Sequence, residues 1–255
     1  MCMVVTVALA LFLYINIWFV VACIKKRNDV ADIAWGLGFV LMSWLALLFS
    51  EHSMRSLLVN TLVTIWGLRL TWHIARRNSG KPEDKRYAEW RAQWKYFYCR
   101  SYVQIFLLQG LILFLVMLPI LHIHGSASVD LGLVDAIGVL MWIVGFVFEL
   151  VGDHQLKMFL LNPMNRGKIM DSGLWAYSRH PNYFGEVTQW WSIFLLAVSL
   201  PFGFLTVVSP LLITLLIVFV SGVPMLEKKY AGRPDFETYK KRTSMLFPLP
   251  NRKVQ

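Results

Sequence analysis

Seven apolar runs alternate with polar segments along the chain and predict seven membrane-spanning helices. The runs cover about residues 3–24, 30–49, 57–74, 102–123, 131–152, 183–200 and 204–225. Each is long enough to cross a hydrocarbon core of ~30 Å as a helix that rises about 1.5 Å per residue. We therefore expect an all-α, polytopic membrane protein with one membrane domain over residues 1–255, including a tail at 226–255 that carries an interfacial helix.

The positive charges between the runs predict the orientation. Of the 25 Lys and Arg residues, 23 lie in the turn at 25–29, the loops at 75–101 and 153–182, or the tail after Met225. Because cytosolic segments carry the excess of Lys and Arg, we expect an external N-terminus and a cytosolic C-terminus. The membrane would be a bacterial inner membrane or a eukaryotic endoplasmic reticulum. No cleavage site follows the first run, so we interpret it as a retained span.

The composition supports a membrane protein and narrows its partners. Hydrophobic residues make up 57% of the chain and charged residues 16%. The net charge of +10 agrees with the orientation bias, with attraction to anionic lipid, or with a polyanionic ligand. No nucleic-acid-reading module fits these loops, so we expect no nucleic-acid partner.

Cysteine and histidine spacing predicts no disulfide framework and no metal site. Cys2, Cys23 and Cys99 are far apart, and His122 and His124 form a bare His-x-His pair with too few ligands. Glycine-rich Rossmann and Walker motifs are also absent from the sequence.

Ionisable side chains inside apolar runs are costly and are therefore candidates for function. Asp32 lies about one turn inside the second run and either lines a cavity or belongs to a structural pair. In the third run Trp66, Arg69 and His73 share one helical face. Arg69 could pair with Asp32 or Glu149, and a buried Arg in such a pair can also orient a phosphate.

The fifth run combines two carboxylates with a stripe of glycines. Glu149 and Asp153 are like charges at i and i+4, which requires cations or amide donors to face them. Gly138, Gly145 and Gly152 recur every seven residues, which favours close helix approach. We therefore interpret the glycines as packing positions and the carboxylates as groups that reach a cytosolic cavity.

The strongest local signal lies where the loop at 153–182 meets the sixth run. Pro181 permits a helix to begin there, and Asn182 and Glu186 then share one face. Arg179 and His180 precede the helix N-terminus, where backbone N–H groups favour an anion. This combination predicts a ligand that bears a phosphate and a planar ring, although a structural re-entrant turn is the alternative.

For two other segments that we expect in the cytosol, the composition indicates the kind of structure but the spacing does not identify functional residues. The loop at 75–101 is dense in both charges and in aromatic residues, which indicates a solvated loop with an interfacial helix. The tail from Glu227 to Arg242 alternates basic and aromatic residues at helical spacing. It predicts a membrane-surface helix or a lid over a cofactor, and spacing does not assign individual roles in either segment.

These motifs resemble those of a known superfamily. One run of this chain is similar to the C-terminal signature of the steroid 5-alpha-reductase and sterol-reductase superfamily. It is Gly173-Leu174-Trp175-x-x-Ser178-Arg179-His180-Pro181-Asn182-Tyr183-x-Gly185-Glu186. Three other segments resemble motifs of the DUF1295 branch of this superfamily, which is known only by its domain-of-unknown-function label. They are Asp29-x-x-Asp32-x-x-Trp35-Gly36, Trp66-x-x-Arg69 and Glu83-Asp84-x-Arg86-Tyr87. The resemblance spans about residues 28–248. Isoprenylcysteine carboxyl methyltransferases share the architecture and a similar Arg-His-Pro-x-Tyr run.

The resemblance implies that NADPH binds in a cytosol-facing cavity. Hydride would pass to an activated C=C bond of a lipophilic substrate, 3-oxo-steroid-like or sterol-like, that enters from the bilayer. The candidate cofactor-binding residues are Arg69, Arg76, Arg77, Glu149, Asp153, Trp175, Arg179, His180, Asn182, Tyr183, Tyr230, Tyr239 and Arg242. Among these, Arg76, Arg77 and Arg242 are candidates to bind the 2'-phosphate.

The proton donor is a separate question. The related reductases place a Glu on the second span and a Tyr on the third, whereas Asp32 and Trp66 fall near those positions here. Tryptophan cannot protonate a carbonyl. Asp32 is therefore the leading donor if desolvation keeps it protonated, and His73 and Glu186 are the alternatives.

Two other functions remain open on the sequence alone. An S-adenosylmethionine-dependent methyltransferase would explain the Pro-Tyr turn and the tail glutamate Glu227. A non-enzymatic lipid-binding membrane protein would explain the spans but leave the cluster from Arg179 to Glu186 without a role.

Overall fold

The computed structural model describes residues 3–251, so Cys2 and the last part of the predicted tail, 252–255, lie outside the described residues. Within them the chain forms helices and turns without a strand, and one isolated parallel bridge joins Ser178 and Ser244. The prediction of an all-α protein is confirmed for this part of the chain. The chain divides into two compact units, while the assignment of one membrane domain stays a prediction.

Unit 1 comprises Met1–Leu131 and Leu196–Ser209. Its helices are α1 (Met3–Lys25), α2 (Val30–Leu48), α3 (Met54–Asn78), α4 (Lys85–Gln93), α5 (Phe97–Ser101), α6 (Leu108–Val116) and α7 (Leu118–Gly125). A π-helical segment, Tyr102–Leu107, joins α5 to α6, and a 3₁₀ turn covers Gly203–Val207.

Helices α2 and α3 pack closely because glycine faces glycine where they meet. A Cβ atom added to Gly36 would lie 2.6 Å from the carbonyl oxygen of Gly67, and one added to Gly67 would lie 2.7 Å from that of Gly36. Beside this contact, the ring of Phe39 packs edge-on against Trp35 and Trp66, at centroid distances of 5.0 and 5.5 Å. The buried Trp66 is thus part of the core of unit 1.

Unit 2 comprises Gly132–Leu195 and Pro210–Gln255. It contains α8 (Leu133–Leu161), most of α9 (Pro181–Val198) and of α10 (Val208–Leu215), α11 (Val223–Glu227) and α12 (Pro234–Arg242). Short 3₁₀ turns lie at Pro163–Asn165, Gly173–Ala176 and Lys228–Tyr230, and a π-helical segment covers Leu216–Val220.

The predicted glycine stripe of the fifth run packs α8 against α9. A Cβ on Gly145 would lie 2.7 Å from the carbonyl oxygen of Gly185, and a Cβ on Gly185 would lie 2.4 Å from that of Gly145. About two turns further along α8, a Cβ on Gly152 would lie 3.2 Å from the backbone nitrogen of Asn182. The packing role is therefore confirmed for Gly145 and Gly152.

Among the described residues, five helical stretches are long and apolar enough to cross a membrane: Met3–Lys25, Val30–Leu48, Phe97–Val116, Leu133–Leu161 and Gly203–Tyr230. They support an integral membrane protein. The predicted third and sixth spans coincide with α3 and α9, which are helical but carry more polar side chains. The count of seven, and with it the orientation, stays a prediction.

One boundary differs substantially from the prediction. The apolar run that was expected to end at residue 152 continues as helix to Leu161, so the first part of the predicted loop at 153–182 is the last two turns of α8. Residues 153–157 are mostly polar, and the hydrophobic pattern alone does not detect that the helix continues through them, although Gln155, Leu156 and Lys157 are good helix formers. The extension places Asp153 and Gln155 on a regular helix.

Candidate functional site

Most of the predicted cofactor-binding residues of unit 2 gather around the start of α9. We call this group the α9 cluster: Glu149, Asp153, Trp175, Arg179, His180, Asn182, Gln189 and Glu227. The turn before α9 presents Arg179 and His180, α8 supplies the two carboxylates beside it, and α11 supplies Glu227.

Arg179 and His180 both bind Glu227. The Nε atom of Arg179 lies 2.9 Å from Oε1 of Glu227, and Nε2 of His180 lies 3.0 Å from the same oxygen. Arg179 also donates to the carbonyl oxygens of Thr243 at 2.8 Å and Lys240 at 3.3 Å. The guanidinium therefore joins the turn to α11 and to the tail, and its charge is shared with a carboxylate of the same unit.

The two carboxylates of α8 receive amide donors from α9. Nδ2 of Asn182 donates to Asp153 at 3.1 Å, and Nε2 of Gln189 donates to Glu149 at 2.7 Å. Glu149 is buried at 3% exposure. The sequence predicted that this like-charged pair needs cations or amide donors, and the amides of α9 confirm that expectation.

These contacts leave three buried atoms in the α9 cluster without a hydrogen-bond partner among the described residues. They are Nδ1 of His180, Oδ1 of Asn182 and Oε1 of Gln189. Their opposite ends are fixed by Glu227, Asp153 and Glu149. Because buried polar groups are normally paired, the three atoms mark positions where a ligand can bind.

The tail closes over the turn that precedes α9. The hydroxyl of Tyr239 donates to the carbonyl oxygen of Trp175 at 2.5 Å, and that of Ser178 donates to Leu246 at 2.7 Å. The indole of Trp175 donates to the carbonyl oxygen of Gly152 at 3.1 Å. Tyr239 and Trp175 are buried, at 4% and 6% exposure. Both predicted cofactor residues therefore hold the turn in place.

A second polar group lies in unit 1 around Asp32. We call it the Asp32 cluster: Asp29, Asp32, Glu83, Asp84, Arg86, Tyr87 and Arg91. The hydroxyl of Tyr87 donates to Oδ1 of Asp32 at 2.6 Å, and Arg86 donates to Oδ2 at 3.1 Å. Arg86 also binds Asp84 at 3.0 Å. Both oxygens of Asp32 accept hydrogen bonds, which is the arrangement of an ionised carboxylate.

The surroundings of Tyr87 keep its phenol protonated. Burial first, and then the charge and hydrogen bond of Asp32, raise the pKa of Tyr87 well above its ordinary value. Burial alone would raise the pKa of Asp84, but the hydrogen bonds and charge of Arg86 outweigh it and hold that pKa below its usual range. The cluster therefore combines a protonated phenol with ionised partners at neutral pH.

Hydrogen bonds fasten Glu83 and Asp84, which precede α4, to the turn before α2. Asp29 is buried at 2% exposure, binds Arg27 at 2.7 Å and accepts from the backbone nitrogen of Asp84 at 3.2 Å. Glu83 accepts from the backbone nitrogen of Asn28 at 2.6 Å. These contacts fix Arg86 and Tyr87 next to α2, so the cluster is held from two sides.

The remaining predicted residues lie near the clusters or on exposed helix ends. Tyr183 stacks on His180 with ring centroids 5.5 Å apart. Glu186 is half-buried one turn further along α9. Arg242 binds Asp171, while its buried Nε has no partner among the described residues. Tyr230 packs on Phe236 at 5.4 Å.

The predicted site residues on α3 differ in how far their side chains are exposed to solvent. Arg69 and His73 are half-buried, whereas Arg76 and Arg77 are exposed at its C-terminal end. Arg77 donates to the side chain of Asn78 at 3.3 Å.

Tyr87 is the candidate that sequence reasoning missed. Its motif, Glu83-Asp84-x-Arg86-Tyr87, stood out, but the contact with Asp32 joins residues 55 positions apart. No local spacing reports such a pairing. Arg86, rather than Arg69, is the cation that the structure places against Asp32.

Comparison with known proteins assigns the family. The model of the family described as "Protein of unknown function (DUF1295)" matches residues 18–243. The chain belongs to the DUF1295 family. This confirms the assignment to that branch, which was made from the segments Asp29–Gly36, Trp66–Arg69 and Glu83–Tyr87.

A curated relative matches over a short segment. It is "Probable O-methyltransferase ustE" of Ustilaginoidea virens, 46% identical over 48 residues, which are 19% of this chain and 17% of the relative. The match thus spans less than one fifth of either protein. No solved structure matches the chain.

Proposed function

We propose that this DUF1295 protein is a membrane enzyme that binds NADPH at the α9 cluster. It reduces an activated C=C bond of a lipophilic, 3-oxo-steroid-like or sterol-like substrate that enters from the bilayer. The similarity of the Arg179–Glu186 signature to that of the sterol reductases supports this choice of cofactor.

The observation that carries the proposal is the pairing of Asn182. Its amide nitrogen is committed to Asp153, and its buried carbonyl oxygen has no partner among the described residues. Such an oxygen accepts an N–H donor, and the carboxamide of a nicotinamide ring supplies one. The stacked rings of His180 and Tyr183 beside it offer a flat surface for a planar ligand.

The distribution of charge in unit 2 supports the choice of a dinucleotide. The carboxylate of Glu149 is buried, whereas the cations Lys228, Lys229, Lys240 and Lys241 are exposed. Phosphates are therefore expected at the exposed basic surface and the uncharged ring of NADPH at the buried amides.

Unit 2 offers one of the predicted proton donors for the second half of the reduction. Glu186 lies half-buried on α9, in the same unit as the proposed cofactor site, and we favour it as the donor. Asp32 and His73, the other two candidates, stay predictions from the sequence, and Asp32 accepts hydrogen bonds from Tyr87 and Arg86.

A second candidate function is an S-adenosylmethionine-dependent methyltransferase. Glu227 binds both Arg179 and His180, so the cations nearest the helix start are neutralised by the protein itself. That arrangement suits a cationic cofactor better than a phosphate. The short match to a protein named as a probable O-methyltransferase also favours it.

A binding comparison distinguishes the candidates. Detergent-purified protein should be titrated with NADPH, NADH and S-adenosylmethionine by isothermal calorimetry. Binding of NADPH alone, or tighter than the others, is the expected result. Tighter binding of S-adenosylmethionine would replace the reductase by the methyltransferase, and binding of none would favour the non-enzymatic lipid-binding protein.

A matched pair of variants tests the role of Asn182. Asn182→Ala removes the open carbonyl oxygen and should weaken NADPH binding about 5- to 150-fold, the equivalent of 1–3 kcal/mol for a buried group left unpaired. Gln155→Ala is the control, since it removes only a bond within the protein, from the backbone nitrogen of Leu174 at 3.0 Å. Equal losses of NADPH affinity in the two variants would mean that Asn182 supports the fold and does not contact the cofactor.

A further inference from the structure

Unit 1 contains a cavity that neither cluster uses. It is about 840 Å³ in volume and is bounded by the start of α1, the end of α2, α7 and the turn at Leu205–Thr206. We call it the His124 cavity. Its volume lies within the ~300–1,000 Å³ of small-molecule sites. The charge pattern of the sequence predicts that these helix ends face the outside of the membrane.

The cavity has apolar walls. Val4, Phe49, Leu118, Leu121 and Leu205 provide them. Such walls bind an alkyl chain or another apolar body by removing its surface from water.

The buried imidazole of His124, which lines the cavity, has a hydrogen-bond acceptor at Nδ1. Its Nε2 lies 2.9 Å from Oδ1 of Asn60, whose Nδ2 donates to the carbonyl oxygen of Ser43 at 3.2 Å. The oxygen of Asn60 is therefore an acceptor, and Nε2 of His124 carries the proton. Nδ1, 3.3 Å from Oγ of Ser50, is left as the acceptor of a neutral ring.

His122 and Glu51 provide further acceptors in the lining, while the hydroxyls of Ser126 and Thr206 donate to the carbonyl oxygens of His122 and Gly203. Nε2 of His122 lies 3.0 Å from the carbonyl oxygen of Pro201, so it donates, and Nδ1 of the neutral ring accepts. Glu51 is an exposed carboxylate in the same lining. The lining residues include neither Lys nor Arg.

We propose that the His124 cavity binds an amphiphile with an apolar body and a protonated amine head. The apolar body lies against Leu118 and Leu121, and the ammonium group donates to Glu51 and to the imidazole acceptor of His122. A carboxylate or phosphate head does not fit, because the lining has no cation to neutralise it. This ligand site is independent of the proposed NADPH site.

The probes that test this proposal differ only in their head groups. Dodecylamine, dodecan-1-ol and dodecanoic acid should be titrated against fluorescently labelled protein in phosphatidylcholine nanodiscs, with empty nanodiscs subtracted, at pH 7.5. The amine should bind about fivefold more tightly than the alcohol, which is the fold-change of an exposed ion pair, and the acid should bind most weakly. Equal binding of amine and acid would overturn the proposal.

Three variants locate the site. Glu51→Gln should remove the advantage of the amine over the alcohol, while Asp130→Asn, which removes an exposed carboxylate outside the lining, should leave it unchanged. Ala127→Trp fills the cavity from an exposed lining position and should weaken the amine and the alcohol alike. The proposal fails if the amine keeps its affinity in both Glu51→Gln and Ala127→Trp.

Discussion

The hydrogen bond between Tyr87 and Asp32 makes a quantitative prediction. Tyr87 is buried at 6% exposure, and its hydroxyl lies 2.6 Å from the Asp32 carboxylate. A hydrogen bond to a charged group contributes about 1.5–3 kcal/mol to stability. Arg86 remains bound to the other carboxylate oxygen when the hydroxyl is removed, so we expect a coupling energy of about 2 kcal/mol.

A double-mutant cycle isolates that energy. Tyr87→Phe, Asp32→Ala and the double variant should be unfolded by titration with SDS in mixed micelles, with helicity as the signal. The contact of Tyr102 with Asn16, an uncharged hydrogen bond of 3.0 Å, serves as the comparison. Its cycle should give about 1 kcal/mol, which is typical of a neutral pair.

The reasoning would be refuted if the destabilisation by Tyr87→Phe and that by Asp32→Ala simply add in the double variant. Distant, independent sites add to within about 0.5 kcal/mol. A coupling energy below that value for Tyr87 and Asp32 would mean that the two side chains do not share a charge-assisted hydrogen bond. The Tyr87 hydroxyl would then not be a group that holds the Asp32 carboxylate in place.

Three further predictions concern packing, protonation and topology. Gly185→Ala should destabilise the protein by about 1–3 kcal/mol in the same SDS titration, because the new Cβ meets the backbone of α8 at 2.4 Å; Gly125→Ala, whose Cβ meets only a flexible side chain at 3.7 Å, is the control. Burial, and then His52, lower the pKa of His124 to about 4, so the unfolded chain binds more protons than the folded one between pH 6.5 and 4. Thermal stability should therefore fall as the pH is lowered through that window, by up to about 3 kcal/mol, and an unchanged profile in His124→Asn would contradict this. A reporter fused after Gln255 should be cytosolic and a tag before Met1 external, whereas both ends on one side would exclude seven spans.

Much of the fold could be predicted because helix formation follows local patterns. The apolar runs located the long helices, and the spacing of Gly145 and Gly152 indicated the close packing of α8 that the structure shows. The need for amide donors at Glu149 and Asp153 also followed from i, i+4 geometry, and Asn182 and Gln189 meet it. These features depend on residues a few positions apart in sequence.

Tertiary pairings could not be predicted in the same way. Arg69 on α3 was one possible partner of Asp32, but the residues that bind Asp32, Arg86 and Tyr87, come from α4. The role of Glu227 depends on a contact with Arg179 across 48 residues. Such pairs depend on how loops return to the helices, and apolar periodicity carries no information on that point.

The contacts between the tail and the turn that precedes α9 have a consequence for protein synthesis. The hydroxyl of Ser178 donates to the carbonyl oxygen of Leu246, 68 residues later, and the backbone nitrogen of Arg179 donates to Ser244. While the ribosome is still translating the segments in between, the hydroxyl of Ser178 lacks its acceptor Leu246 and the backbone nitrogen of Arg179 lacks its acceptor Ser244. This geometry of the turn can therefore form only after the apolar stretch Gly203–Tyr230 and α12 have been made, so a nascent chain that stalls earlier will lack it.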